Sequence, residues 1–592
     1  MRRGIGTICI LVLALLLSGC AVEAQQLTYP NPELMPSPIP EPVRGIMVNT
    51  AEEIHINQLG YRPDDTKIVK VPGAYTVFYV LDRETELVVY EGAFGEATPD
   101  RGAGEDVVSG DFSELTAPGQ YVVQVPDLGH SYPFSIAEEV YAGLNAAVLK
   151  MLYYQRCGEN LTEEYAGEWS HPACHTLRGE IYAFPGRTFD GSGGWHDAGD
   201  YGKYTVPTAR TVADLFLAYS LYPEAFGDDT RIPESGNGMP DILDEARVGV
   251  AWLLKMQDPV SGGVYYKYTP KESPALDVMP QNDTAAYYAV SISPTATGGF
   301  CAVMAQAARI YKDTDWNFAE KCLNAAKAAY GWIRANPDAQ AYRNPGDIVT
   351  GDYRNESHRD EYYWASIEMY VTTGEQAYLD DADPYGDKAA LFWSDTLDLY
   401  NVGLLGVFSY LLSDAADSNS VLYQGMMRNV LQAADVITGW ASKNGYGIDM
   451  NPKDYVWGSN LNVSGRAVVL LVANHLSPND AYTETARAHF DYLLGCNTLN
   501  QCYVTGFGIK TVLKPHHRLS AADTTILPVP GMVVGGPNAS RQDPIAQSYL
   551  KKDTPPAKCY LDRTGAYSLN EAATYWNSPM VLLCAYFNGE AE

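Results

Sequence analysis

A chain of 592 residues with 46% apolar and 19% charged residues is too long for one small core and too apolar for a disordered protein. Its 72 acidic residues against 41 basic ones give a formal charge of -31, which argues against nucleic acid or an anionic membrane surface as partner, because phosphate demands the opposite sign. The 43 tyrosines and 10 tryptophans supply faces on which a neutral polymer can stack.

The chain opens with a targeting segment. Arg2 and Arg3 precede an apolar run over residues 8–17 that is too short to cross a bilayer, and small residues follow. The junction Leu17-Ser18-Gly19-Cys20 resembles the bacterial lipobox. That resemblance implies a lipoprotein signal peptide over residues 1–20, an acylated Cys20, and an exported protein anchored by lipid at the cell surface or outer membrane. Cleavage after Ala24, with secretion, is the alternative. Residues 21–50 carry Pro30, Pro32, Pro36, Pro38, Pro40 and Pro42 with few core-forming residues, the pattern of a semi-extended tether.

Residues 51–137 read as short strands. Segments 54–57, 74–81, 87–90, 121–125 and 132–136 are rich in β-branched and aromatic residues and separated by turn residues, which suits a small all-β sandwich. Asn57-Gln58-Leu59-Gly60-Tyr61 resembles the opening of the immunoglobulin-like module that precedes some cellulase catalytic domains. Its expected role is support, with carbohydrate binding as the alternative.

From residue 138 the pattern changes to helical periods. Segment 244–257 sets Val248, Trp252, Leu253 and Met256 along one stripe, and 300–311, 317–335, 360–373, 421–440, 463–475, 480–494 and 574–587 repeat the pattern. Long loops rich in Gly, Asp, Pro and aromatics separate them. A mainly α region of about 450 residues exceeds a simple bundle around one core. A closed ring of helical hairpins, with loops gathered at one rim as a cleft, fits residues 138–592.

Three blocks carry chemistry. Residues 193–204 (GGWHDAGDYGKY) place Asp197 and Asp200 three apart between small residues and aromatics. Residues 503–518 run from Tyr503-Val504-Thr505-Gly506 to Pro515-His516-His517-Arg518, and residues 560–578 contain Asp562, Tyr567, Asn570 and Glu571. Hydrolysis of a glycosidic bond needs an acid for the leaving oxygen and a carboxylate that attacks or activates water. Asp197 and Asp200 are close enough to repel, and water activation needs at least one ionised. Alone, Asp-x-x-Asp also suits a capped turn or a metal loop, an Asn-Glu pair at a helix start is commonly a cap, and His516 with Arg518 suits a polar loop pair.

Together and in this order, the blocks resemble the signatures of family 9 glycoside hydrolases, inverting cellulases built on an (α/α)6 toroid. The resemblance implies an endo-β-1,4-glucanase acting on cellulose-type glucans or cellodextrins. It makes Asp200 the base, Asp197 a second holder of the same water, and Glu571 the acid, its proton kept by Tyr567, Tyr575 and Trp576. Inversion implies about 6.5–9.5 Å between the working carboxyls. His516 and Arg518 would contact sugar hydroxyls, while Trp457, in a loop, and Tyr567, four residues before Glu571, would line central subsites. Trp252 lies on a helical stripe and reads as core. Cys502 stands where the second signature usually has Ser, Thr or Val. An exo-acting cellobiohydrolase or cellodextrinase, or a glucosaminidase, stays open within the family. A non-catalytic glycan-binding lipoprotein would require a missing carboxylate, and all three are present. The expected partner is a soluble or amorphous β-glucan, met by a monomer.

Cysteine usage adds a metal reading. Cys157 and Cys174-His175 suit tetrahedral zinc, and their segment resembles a structural zinc site of two Cys and two His found in some family 9 enzymes with the immunoglobulin-like module. The resemblance implies Cys157, Cys174, His175 and His196 as ligands, with His171 the rival for the fourth position and a Cys157–Cys174 disulfide the alternative. Cys301, Cys322, Cys496, Cys502, Cys559 and Cys584 cannot be paired from sequence; buried free thiols are expected. Asp352, Asp360 and Glu361 offer hard oxygens and resemble a calcium site of the family, although a solvated helix N-terminus accounts for the same residues. The acidic stretch 380–383 reads as a solvated loop.

Overall fold

The structure, a computed structural model, describes residues 50–353, 355–386, 391–523, 525 and 527–589. The expected signal peptide, Cys20 and residues 21–49 of the tether lie outside the described residues.

Alternating apolar residues give the N-terminal strands an inward face: in Ile68–Pro72 and in the first half of Val77–Asp82 every second residue is buried. One sheet runs Gly60–Tyr61, Phe134–Ile136, Gly119–Val125, Val77–Asp82, Val88–Ala93, with Gly129–His130 paired to its central strand. A second orders Ile68–Pro72, Glu105–Asp111 and Thr98–Asp100. Tyr61, Phe78, Phe112 and Phe134 fill the shared core. The expected strand at 54–57 is reduced to one bridge between His55 and Lys70. Those residues turn toward the helical part instead: Asn57 Nδ2 donates to Asp491 at 2.8 Å, and Gln58 Oε1 accepts from the backbone of Ile509 and Lys510 at 2.8 and 2.9 Å. Asn57 and Gln58 are fully buried, so their polar groups hold the helical part and are closed to a sugar.

The helices pair into a ring. Inner members are Thr205–Leu221, Pro294–Ile310, Arg359–Thr373, Gly403–Leu411, Ser459–Leu476 and Thr574–Asn588. Outer members are Ala142–Tyr154, Asp241–Met256, Trp316–Ala335, Gln376–Ala382, Val421–Ala441 and Asp480–Leu493. Thr205–Leu221 packs on both Pro294–Ile310 and Thr574–Asn588, which closes the ring between the first and last inner helices. Burial explains why one inner helix escaped the period. Trp316–Ala335 buries Ala319, Cys322, Ala326, Tyr330 and Ile333 on one face, whereas Thr205–Leu221 is buried throughout except at Tyr219 and Ser220. A helix buried on all sides, here with an Arg210–Asp214 pair at 2.8 Å inside it, carries no apolar stripe. Asp380 and Asp381 belong to the helix Gln376–Ala382 rather than to a loop, with Asp383 at its C-cap, and Asp381 accepts from Arg334 Nε at 2.6 Å.

One feature departs from a purely helical reading of 138–592. Strands Phe184–Phe189, Gly179–Ile181, Tyr288–Ile292, Tyr265–Thr269 and Lys203–Tyr204 form a sheet in that order. Tyr265–Thr269 is buried at every position, so no alternation marks it. Lys203–Tyr204 pairs antiparallel with Lys267 and Tyr268, and so fixes the exit of the loop that carries Asp197 and Asp200.

Candidate active site

The loop 193–204 enters through Gly193 and Gly194, whose φ angles of 87° and 72° favour glycine; a Cβ on Gly194 would also meet the Trp252 side chain at 2.6 Å. Trp252 is core, as its stripe implies. At Gly199 a Cβ would stand 2.0 Å from the carbonyl oxygen of His516, so the first and second blocks touch through bare backbone. Arg518 seals the contact: its backbone N–H and Nη1 donate to the Gly199 carbonyl at 3.1 and 2.8 Å, and its Nε donates to the Pro274 carbonyl at 2.9 Å. The third block is tied to the second by Asn570, whose Nδ2 donates to the Lys514 carbonyl at 2.6 Å and to Asp562 at 3.0 Å. The backbone N–H of His516 donates to the Asn570 carbonyl at 2.8 Å.

These ties bring three carboxyls together. Asp200 Oδ1 accepts from the Gly202 N–H at 3.1 Å; Oδ2 accepts from Ser273 Oγ at 3.1 Å and the Tyr204 hydroxyl at 3.4 Å. Asp197 is buried behind it, where Oδ2 accepts from the Tyr353 hydroxyl and Oδ1 has no partner. Burial pushes the Asp197 carboxyl well above the usual carboxylate range; Tyr353 opposes this and Asp200 adds to it. Burial also raises Glu571 well above its usual range, reinforced by Asp200 and Asp197, against Arg518 and the Gly199 N–H. A proton on Glu571 is thus favoured by the same charges that surround it.

Asp200 and Glu571 line one cleft of about 1000 Å3. Its walls include Trp457, Tyr567, His516, Arg518, Tyr575 and Trp576, so every expected substrate contact reaches it, while Asp197 does not. Trp457 is 40% exposed and its ring lies 5.5 Å from that of Tyr567. His516 donates from Nδ1 to the Thr564 carbonyl at 2.7 Å, and burial pushes its pKa down to about 4, which keeps the ring neutral. Ser273 and Tyr353 were not legible as site residues, since each lies outside the three blocks and joins them only through the fold; Tyr204 closes the first block, but nothing in the sequence marked it as a partner of Asp200.

Residues 141–584 match Glycosyl hydrolase family 9, and residues 49–130 match the cellulase N-terminal ig-like domain. The chain belongs to glycosyl hydrolase family 9. It is 34% identical to Endoglucanase D of Acetivibrio thermocellus over 90% of this chain and 83% of that protein. It is likewise 34% identical to a cellodextrinase of Butyrivibrio fibrisolvens, over 90% of this chain and 98% of that one. Among solved structures, AaCel9A in complex with cellobiose-like isofagomine superposes with a TM-score of 0.84 at 38% identity, covering 90% of this chain and 99% of that chain. A Zn-binding triple mutant of GH family 9 endoglucanase J30 gives a TM-score of 0.83 at 34% identity, covering 89% and 100%. The protein is a glycoside hydrolase, mainly α, with an immunoglobulin-like module at its N-terminal side.

In this family 9 enzyme the donor atoms of Cys157, Cys174, His175 and His196 lie within 4.8 Å of one another. Cys157 Sγ is 3.7 Å from His175 Nδ1, Cys174 Sγ is 3.6 Å from His196 Nε2, and the two ring nitrogens are 3.3 Å apart. Zinc with Zn–S near 2.3 Å and Zn–N near 2.0–2.1 Å sets tetrahedral edges of roughly 3.3–3.8 Å, so the donor set fits that ion. Both thiols are free, which removes the disulfide alternative. His171 stays outside: its Nδ1 is 2.8 Å from the Pro172 carbonyl and its Nε2 is buried without a partner. Asp283 stands 3.2 Å from His175 Nε2 and orients that ring. Cys301, Cys322, Cys496, Cys502, Cys559 and Cys584 are buried free thiols.

The expected calcium site is not shown. Among the described residues, Asp352, Asp360 and Glu361 form no shared cluster. Asp352 lines the cleft with its carbonyl bound by Tyr266 at 2.8 Å, whereas Asp360 and Glu361 are buried at the start of Arg359–Thr373. Asp360 there accepts the Val402 N–H at 3.1 Å. Glu361 accepts from Asn355 Nδ2, three residues beyond Asp352, at 3.3 Å, and both acids are buried rather than forming a solvated terminus.

Proposed function

We propose that the protein hydrolyses β-1,4-linked glucans by a single displacement with inversion, endo action being favoured. Asp200 deprotonates the attacking water while Glu571 protonates the departing sugar oxygen. Asp197, buried behind Asp200, holds the loop geometry through Tyr353. The observation that carries this reading is the meeting of Glu571, raised by burial, with Asp200 across a cleft walled by Trp457, Tyr567 and Trp576. Two carboxyls in different protonation states are what acid and base catalysis at a glycosidic bond requires. His516, neutral, and Arg518 offer polar contacts to sugar hydroxyls.

Zn2+ held by Cys157, Cys174, His175 and His196 is the structural cofactor of this reading; it would pin the base loop, because His196 directly precedes Asp197. An N-terminal lipid anchor, a tether over residues 21–50, catalytic residues 138–592 and a monomeric state complete the proposal. Relatives named as an endoglucanase and as a cellodextrinase support a β-1,4-glucan substrate and leave chain-end preference to experiment. Incubation with cellopentaose, read by proton NMR and product sizing, tests it. The expected first products are α-anomers released from internal bonds. Initial β-anomers overturn inversion, trimming from one end overturns endo action, and cleavage of chitooligosaccharides in place of cellopentaose overturns the substrate.

A further inference from the structure

Trp440 closes the outer helix Val421–Ala441 with 48% of its surface exposed, although Val430, Ala434 and Ile437 of the same helix are buried. The ring is not spent on the core. It stands in the wall of a second cavity of about 680 Å3, distinct from the cleft, together with Asp395, Asn401, Asn451 and Lys453. Two short segments separate the cavities, and each puts side chains into both. Asp398 and Asn401 face the second cavity and Tyr400 the cleft; Asp454 faces the second cavity and Trp457 the cleft. Tyr400 is 52% exposed and Trp457 40%, so each segment carries an exposed aromatic ring on its cleft side.

Charge narrows the ligand. Arg466 is committed to the floor, donating to Thr396 Oγ1 at 3.1 Å and pairing with Asp454 at 3.4 Å. Arg466 also pairs with Asp449 at 3.6 Å, and the wall retains Asp395 and Asp398 beside Lys453, which disfavours an anionic ligand. Lys443 stands over the Trp440 ring at 5.5 Å from its centroid and orients it. An exposed indole beside amides and carboxylates meets the needs of a neutral sugar, whose C–H face stacks while its hydroxyls take polar partners.

We propose that this cavity is an outlying sugar subsite, with Trp440 as its platform, holding glucose units of a β-1,4-glucan that extends beyond the cleft. The inference rests on the glucan reading above.

The test compares kcat/KM on cellohexaose and cellotriose for the wild type, Trp440→Ala and Trp440→Phe. Trp440→Ala is expected to lower the cellohexaose-to-cellotriose ratio about tenfold, mainly through KM, as loss of one aromatic anchor does. Trp440→Phe, which keeps a ring, is expected to recover most of the ratio. Calorimetric titration of cellohexaose into Glu571→Gln, with and without Trp440→Ala, should show a matching loss of affinity. An unchanged ratio with unchanged affinity overturns the subsite, and so does an equal fall on both substrates. A wild-type enzyme that cleaves neither oligosaccharide refutes the glucan reading instead, while the calorimetric comparison still decides the subsite.

Discussion

The hydroxyl of Tyr353 donates to Oδ2 of Asp197, whose other oxygen is buried with no partner. That one side-chain donor works against burial, which still holds the Asp197 carboxyl well above the usual carboxylate range. Tyr353→Phe removes that donor without changing the ring. A hydrogen bond to a charged group contributes about 1.5–3 kcal/mol, so kcat should fall by about tenfold to a hundredfold. The lost hydrogen bond lowers the Asp197 pKa in the wild type, so its removal raises that pKa. The acid limb of the pH–rate profile should accordingly move to higher pH. A profile with an unmoved acid limb would show that Asp197 is not ionised in the working enzyme.

The two cleft carboxyls should separate by leaving group. Glu571→Gln removes a proton donor that matters when the departing oxygen is a sugar and hardly at all when it is a dinitrophenolate. Expected losses are about a hundredfold to ten-thousandfold on cello-oligosaccharides, with much of the rate retained on 2,4-dinitrophenyl cellobioside. Asp200→Asn removes the base and should lose a comparable factor on both. If Asp200→Asn, folded by circular dichroism, kept the rate on either substrate, the role assigned to it would be wrong.

Part of what escaped the sequence follows the physics of burial. The outer helix Trp316–Ala335 exposes one face and shows a period, and the inner helices Pro294–Ile310, Ser459–Leu476 and Thr574–Asn588 were still read in part, whereas Thr205–Leu221 and Gly403–Leu411 are buried nearly all round and gave no readable stripe. The buried strand Tyr265–Thr269 was invisible for the same reason. Asp200 and Glu571 were legible because each sits in a block of fixed composition. Tyr353 was not, because its partner lies 156 residues away and only the ring of helices brings them together. Asp360 and Glu361 show another limit: an acidic helix start suggests solvent, and only the fold buries both side chains.

The metal cluster gives a prediction with a readout other than rate. Purified protein should carry one zinc per chain by elemental analysis. His196→Ala should lose it, and Asp283→Asn, which removes the partner 3.2 Å from His175 Nε2, should weaken zinc affinity by about 10–100-fold. The structural link to activity is short: Gln155 accepts the His196 N–H on its carbonyl at 2.7 Å and donates from its side chain to the Ala198 carbonyl at 2.9 Å, two residues before Asp200. Stripping the ion should therefore lower kcat and melting temperature together. Chelated protein, shown to be metal-free, that remained fully active would break the connection between the ion and the base loop.

Stability should carry the mark of the same buried acid. The ordinary value for a glutamate is 4.5, and burial raises Glu571 well above it in the folded protein. Between those two values the unfolded chain has released a proton that the folded chain still holds, so folding grows less favourable as pH rises. The contribution is full below about pH 4.5 and is lost as pH climbs through the raised value. Glutamine has no proton to lose. Glu571→Gln should thus melt close to wild type near pH 4 and above it at pH 8, the gap opening as pH rises. Asp197→Asn should show the same sign, for burial raises that carboxyl too, but it also replaces the oxygen that accepts from Tyr353 with a weaker acceptor, so its gain should be the smaller of the two. A gap that closed with rising pH would mean that Glu571 is stabilised as a carboxylate, and the acid would have to be sought elsewhere in the cleft.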